Sequence, residues 1–329
     1  MKDIILNHLK ANKDGYVSGE KISKLIGVSR TSVWKSIKKL KEEGYTIESS
    51  TNKGYKLVGS IDALFPNEIK WLLNTDFIGK EIIFLDSIDS TNNYAKKKAA
   101  RGFEDGTIII AEKQTSGRGR LGREWKSSIG KGIWMTIMLK PRVKPEKAAQ
   151  LTLMTAYAVN KSIRNICGLE SYIKWPNDIV INGKKACGIL TEMGAEIDRI
   201  NYLLVGIGIN ANTEPEIFAK MDLNHATSLK IEKDESIDRK LLVVDILKNF
   251  EDLYYDFVKS GSIRNIIEDY KKVSATLGKE VKLLTRSEEL FGLAIDMTCQ
   301  GELMVLMDSG EMKKVSSGEV SIRAKNGYV

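Results

Sequence analysis

Gly117-Arg-Gly-Arg-Leu-Gly-Arg-Glu-Trp125 interleaves three arginines with three glycines, and its reading decides the fold. Its first six residues spell G-x-G-x-x-G, the dinucleotide-binding fingerprint. In a doubly wound sheet that turn opens a helix, and an acidic residue follows about 20 positions on. Here it leads instead into Gly132-Ile-Trp-Met-Thr-Ile-Met-Leu139, which reads as a strand. A nicotinamide-binding Rossmann domain therefore falls away. What remains is a flexible basic segment. Glycines let backbone N–H groups approach an anion closely, and arginines present forked donors that match carboxylate or phosphate. A loop that closes on an anionic ligand is expected.

Around this loop the chain reads as the middle of an α+β multidomain protein. Helices at 66–74 and 91–101 and strands at 81–86 and 107–112 precede it. Strand 132–140, a long amphipathic helix at 146–166, and strands 171–174, 178–182, 185–193 and 201–209 follow, with Asn182-Gly183 a type I′ hairpin signal. A helix over 238–259 turns Leu241, Leu242, Ile246, Leu247, Phe250, Leu253 and Phe257 inward. Adjacent strands with helices grouped around them predict a mixed α/β domain over 65–272. From 273 to 329 only short strands recur, at 281–284, 290–297, 302–307, 312–315 and 320–323, predicting a small β-barrel.

Residues 1–60 predict a winged helix-turn-helix, with a linker starting at Gly59-Ser60. Ile4, Ile5, Leu6 and Leu9 stripe a first helix. Ser18 and Gly27 bound a second, and Ser29 caps a third in which Val33, Ile37 and Leu40 face inward until Gly44. Ser29, Arg30, Thr31, Lys35, Lys38 and Lys39 lie on or beside its outward face, the face a recognition helix shows the major groove. Strands at 45–48 and 54–58 form a wing with Lys53 at its basic tip. A three-helix module for protein contacts is the plainer reading. Charge decides against it: the first sixty residues carry twelve Lys and Arg against six Asp and Glu, +6 of the chain's +8. Confinement of charge to one end favours DNA.

The 329 residues, 42% hydrophobic and 29% charged, are ordinary for folded domains. No apolar run nears the roughly 20 residues of a membrane span, and no signal-peptide pattern opens the chain. Cys167, Cys187 and Cys299 form no CxxC pair, which fits a reducing cytoplasm. The only histidines, His8 and His225, argue against a zinc site or a Ser-His-Asp triad.

Four clusters in the middle domain carry chemistry. Asp89-Ser-Thr-Asn92 opens a helix; helix capping is the plain role, hydrogen bonding to a small polar ligand the functional one. Gln114 and the loop 117–125 form the second. In Lys174-Trp-Pro-Asn-Asp178 the Asp can orient a lysine or help hold Mg²⁺ beside phosphates. Lys185 opens the apolar strand Ala186-Cys-Gly-Ile-Leu190, either as a point charge in a site or as a snorkelling surface lysine; Gly206-Ile-Gly-Ile-Asn210 follows it.

In order and spacing these clusters resemble the biotin–protein ligases, and the helix-turn-helix narrows the resemblance to the bifunctional bacterial type that also represses the biotin operon. The resemblance spans essentially the whole chain, with loop 117–125 and Lys174–Asp178 the specific parts. It implies a winged helix-turn-helix, a catalytic domain of the biotin/lipoate ligase type and an SH3-like C-terminal barrel. It also implies ATP and Mg²⁺, with biotin joined to AMP as biotinyl-5′-AMP and then passed to a lysine of a biotin carboxyl carrier protein. Operator DNA and a homodimer formed by the adenylate-bound chain are the further partners. Lys185, Arg118 and Arg120 would neutralise carboxylate and phosphate, with Asp178 near the lysine or Mg²⁺. Ser90, Thr91, Asn92, Gln114, Gly119, Gly188, Gly206 and Gly208 would surround biotin. Arg123, Trp125, Lys174, Asn177, Asn210 and, from the barrel, Arg323 would border the nucleotide. A lipoate or octanoate ligase, with Cys187 as acyl acceptor, and a ligand-sensing repressor without turnover are the alternatives.

Overall fold

The computed structural model describes residues 1–12, 14–59, 62–284, 289–316, 321–324 and 328, in two compact units, Met1–Ala63 and Leu64–Val329. In the first, α1 (Lys2–Ala11), α2 (Gly19–Ile26) and α3 (Arg30–Glu42) precede the antiparallel hairpin β1 (Thr46–Ser50) and β2 (Gly54–Gly59). The hydroxyls of Ser18 and Ser29 accept the N–H groups of Lys21 and Ser32, and Gly27 closes α2 at φ 66°. Ile5, Leu6, Leu9, Ile22, Val33, Ile37 and Leu40 fill the core. Ile4 does not join it and is 53% exposed. At 100° per residue, Ile5, Leu6 and Leu9 already occupy the inner arc, which leaves Ile4 on its flank.

The second unit begins with α4 (Pro66–Leu72), β3 (Ile82–Leu85), α5 (Thr91–Ala99) and β4 (Thr107–Ala111). The arginine–glycine segment follows as two short strands, β5 (Gly117–Arg118) and β6 (Glu124–Trp125), and then β7 (Ile133–Leu139), α6 (Ala148–Ser162), β8 (Tyr172–Lys174), β9 (Asp178–Ile181), β10 (Lys184–Ala195) and β11 (Ile200–Ile209). Helices α7 (Pro215–Lys220), α8 (Leu229–Lys233), α9 (Arg239–Ser260) and α10 (Ile267–Lys272) lead to β12 (Glu280–Leu284), β13 (Glu289–Met297), β14 (Leu303–Met307), β15 (Met312–Val315) and β16 (Ser321–Ala324). Periodicity missed α7, α8 and α10, none longer than six residues, because they span fewer than two turns.

Seven strands form one mixed sheet in the order β3-β4-β7-β11-β10-β9-β8, in which only β3 and β4 run parallel. Side chains alternate between its faces. Ile109, Met138 and Leu204 pack with Ala95 of α5, whereas Ile108, Ile110, Ile137, Leu203 and Val205 join the large core that includes α6 and α9. Leu241 was expected in that core but is 44% exposed; Leu242, Val243, Ile246 and Leu247 take the inner arc of α9. The C-terminal strands make an antiparallel SH3-like sheet ordered β15-β14-β13-β12-β16. Among the described residues no helix is long and apolar enough to cross a membrane.

Candidate active site

Two adjoining cavities, of about 450 and about 1080 Å³ with their open mouths included, share Gly119, Arg120, Trp125, Asn177 and Lys185 in their walls. Beyond the shared Arg120 and Lys185, the first adds one charged side chain, Arg118, to uncharged hydrogen-bonding groups, apolar side chains and bare glycine backbone, whereas the second adds Arg123, Glu124, Lys174 and Asp178. Their chemistry follows from the elements that meet there.

The first chamber is built at the start of α5. Ser90 is the N-cap residue, yet its hydroxyl makes no capping bond, so capping does not account for this cluster. Thr91 donates its N–H and its hydroxyl to Gln114 Oε1, at 2.8 and 3.1 Å. Asn92 donates to Glu192 Oε2 at 2.9 Å and accepts the Thr136 hydroxyl at 2.6 Å. Ser90, Thr91 and Asn92 are all buried, and the network fixes the donors and acceptors of Thr91 and Asn92 before any ligand arrives. The floor is glycine for a steric reason. A Cβ at Gly206 would strike the Asn92 carboxamide, and one at Gly188 or Gly208 would lie 2.7 or 2.8 Å from the Trp125 indole. Trp125 Nε1 is buried without a hydrogen-bond partner among the described residues.

The joint between the chambers comes from a register shift. Lys185 pairs with Val180 but Cys187 pairs with Ile179, so β10 bulges at Ala186. A bulge re-aims the side chains beside it. Asp178 lies opposite Gly188, and the missing side chain leaves room for the lysine stem. Lys185 Nζ reaches 2.7 Å from Asp178 Oδ1 and 5.2 Å from the Trp125 ring. It is a paired cation at the joint, not a snorkelling surface lysine. Arg120 donates to Asn177 Oδ1 at 3.0 Å. Burial pushes the Arg120 pKa down, with Asp178 opposing and Arg123 reinforcing the shift; a guanidinium keeps its charge regardless. Arg118 turns the other way, donating to Asn93 Oδ1 at 3.1 Å and lying 3.5 Å from Glu192 Oε1. Exposed Arg123 lines only the second chamber. The three arginines of the loop therefore serve three different places.

In the second chamber, Lys174 is buried and its ammonium lies 3.6 Å from the centre of the Tyr328 ring. Trp175, next to a cis Trp175–Pro176 peptide, donates its indole N–H to Gly301 O and its backbone N–H to Thr276 Oγ1. It thereby ties this wall to the C-terminal sheet. Asp178 Oδ2 accepts the Tyr328 hydroxyl at 2.6 Å. Both Asp178 oxygens are thus engaged, and among the described residues no group of three His, Cys, Asp or Glu could hold a metal. A magnesium ion would arrive with nucleotide phosphates, which commonly supply most of its ligands.

Not every expected residue lines the chambers. Asn210 is buried beneath them, donating to Thr227 O at 3.1 Å. Arg323 pairs with Lys282 on β12, and its side chain falls outside the described residues. Sequence reading missed Thr136, Glu192, His225 and Tyr328. Thr136 was visible in principle as the one polar residue in the apolar run of β7. Cys187 is fully buried, and that burial drives its thiol pKa far up; such a thiol does not serve as an acyl acceptor. In the first unit Ser29, Arg30, Thr31, Lys35, Lys38, Lys39 and Lys53 are all exposed.

Comparison with known proteins gives three family matches in chain order. Residues 3–56 match the HTH domain, 84–210 the Biotin/lipoate A/B protein ligase family, and 276–323 the Biotin protein ligase C terminal domain. The bifunctional ligase/repressor BirA of Bacillus subtilis is 39% identical over 323 residues, 98% of each chain. That of Escherichia coli is 27% identical over 93% of each chain. The biotin protein ligase of Aquifex aeolicus, solved in complex with biotin and ATP, superposes with a TM-score of 0.64 at 30% identity; the match covers 75% of this chain and all of that one.

Proposed function

The chain belongs to the bifunctional biotin–protein ligase/repressor family, and from that premise we propose that its two chambers hold biotin and ATP with their reacting groups facing Lys185 and Arg120. The observation that carries this reading is the shared wall: a chamber lined mainly by uncharged groups meets a more highly charged one where Arg120 and Lys185 stand. Joining a carboxylate to an α-phosphate brings two anions together, so charge neutralisation and positioning dominate the barrier. A biotin carboxylate oxygen attacks the α-phosphorus, the bond to pyrophosphate breaks, and biotinyl-5′-AMP remains across the joint. An acceptor lysine amine then attacks the acyl carbon, AMP leaves, and the amine loses a proton to give the amide. Ser90, Thr91, Asn92 and Gln114 take the polar atoms of biotin. Arg123, Lys174 and Trp125 border the nucleotide, which enters with its magnesium ion. The acceptor is a biotin carboxyl carrier protein.

The exposed face of α3 and the tip at Lys53 would meet operator DNA, two copies joining when biotinyl-5′-AMP is bound so that paired wings span a palindrome. Closing of the 117–125 loop on the adenylate is the ordering step that would couple the sites.

The test is incubation of the protein with ATP, Mg²⁺ and either biotin or lipoate, with and without an acceptor domain, followed by mass spectrometry. Release of pyrophosphate and one added biotinyl group on the acceptor supports the reading. Transfer of lipoate instead, or no transfer while biotin binds, refutes it.

A further inference from the structure

Tyr328, the penultimate residue of the chain, touches three walls of the second chamber at once. Its hydroxyl donates to Asp178 Oδ2 at 2.6 Å. Its ring lies under the Lys174 ammonium at 3.6 Å and is stacked near-parallel on His225, with centroids 5.9 Å apart at 20°. The other oxygen of Asp178 holds Lys185 Nζ at 2.7 Å and Asn177 Nδ2 at 3.1 Å. Tyr328 is thus linked to the reactive joint through a single carboxylate.

We propose that Tyr328 is a positioning residue for adenylate formation: its hydroxyl fixes Asp178, Asp178 fixes the direction of the Lys185 ammonium, and its ring completes the nucleotide wall. The proposal rests on the ligase reading above. A carboxylate held at one oxygen only, by Lys185 and Asn177, can still rotate about its own side-chain bonds; a donor on the far oxygen restricts that freedom. Lys185 is then oriented before the triphosphate arrives, and orientation settled in the folded state need not be acquired in the transition state. A hydrogen bond to a charged group is a strong one. The ring contributes separately. The cavity remains about 1080 Å³ with Tyr328 among its lining residues, so the side chain is part of the wall and does not fill the chamber.

The two parts separate by substitution in the full-length protein. Tyr328→Phe keeps the ring over Lys174 and against His225 and removes only the hydroxyl. Tyr328→Ala removes both. With pyrophosphate release as the assay, Tyr328→Phe is expected to lower kcat about tenfold with the KM for biotin unchanged. Tyr328→Ala is expected to lower kcat similarly and to raise the KM for ATP several-fold as well. In an Asp178→Asn background the further effect of Tyr328→Phe should shrink to less than twofold, because the two substitutions break one chain of contacts. A Tyr328 that merely stabilised the fold would not give this dependence on Asp178.

The inference is overturned if Tyr328→Phe turns over within twofold of the native enzyme, or if its tenfold loss persists in Asp178→Asn. It is also overturned if Tyr328→Ala lowers the KM for ATP with kcat intact, which would make the Tyr328 side chain a competitor of the nucleotide. Absence of biotinyl-5′-AMP formation by the native protein would instead refute the ligase reading, and this inference with it.

Discussion

Replacing Lys185 by Met tests the joint itself. Methionine keeps much of the stem that crosses Gly188 and loses only the ammonium, which sits 2.7 Å from Asp178 Oδ1 at the boundary of the two chambers. Two unit charges about 4 Å apart at an effective dielectric constant near 20 attract by roughly 4 kcal/mol. Removing one preorganised donor from a developing oxyanion typically costs about 2.7–4 kcal/mol, or 10²–10³ in kcat. Both routes give the same scale, so Lys185→Met should slow pyrophosphate release by about 100- to 1000-fold. Biotin affinity should change far less, because Thr91, Asn92 and Gln114 are held by one another and by Thr136 rather than by the lysine. The assay is single-turnover adenylate formation beside isothermal titration with biotin. A kcat within tenfold of native, or a loss confined to biotin binding, would refute the assignment of charge neutralisation to this residue.

Gly206→Ala drives a methyl group into the Asn92 carboxamide; overpacking of about 1–3 kcal/mol should weaken biotin about tenfold or more, while titration with ATP stays near native. Cys167 and Cys187 should resist iodoacetamide in the folded protein. Burial raises the Cys167 pKa to about 11 and that of Cys187 further, so roughly one Cys167 in a thousand is thiolate at pH 8. Half-buried Cys299 should label first, as peptide mass mapping would reveal. Arg239 is buried, with Nη1 2.9 Å from Gly132 O and 3.1 Å from Glu112 Oε2. Arg239→Met strands that carboxylate, at about 3–5 kcal/mol, and should lower Tm by about 10 °C; an unchanged melting curve would contradict the pairing. Lys35→Ala should weaken binding to specific and non-specific DNA alike and reduce the slope of log K against log salt by about one; loss of preference for a single base would mean that the lysine reads sequence.

The glycine–arginine segment shows what sequence can and cannot carry. That it was no Rossmann turn followed from the strand after it, and β7 lies where the residues placed it. Helix caps at Ser18 and Ser29 were equally legible, because a cap is a local bond between a side chain and a backbone three residues away. The divergence of Arg118, Arg120 and Arg123 was not. It depends on partners 25 and 57 positions away, Asn93 and Asn177. Lys185 was legible as a charge heading an apolar strand, but its aim comes from a bulge that spacing does not reveal. Tyr328 gave no signal, since what matters about it is a contact 150 residues distant in sequence. Ile4 and Leu241 erred for one reason: stripes drawn by residue type run wider than the arc a core can cover.

The most direct test of the account is a structure of this protein bound to biotinyl-5′-AMP. The account predicts the ureido ring against Thr91, Asn92 and Gln114, the adenosine in the chamber of Lys174 and Tyr328, and the acyl-phosphate oxygens within hydrogen-bond distance, about 3 Å, of Lys185 Nζ. An adenylate whose phosphate lies away from Lys185 and Arg120, or whose two halves share one chamber, would contradict it.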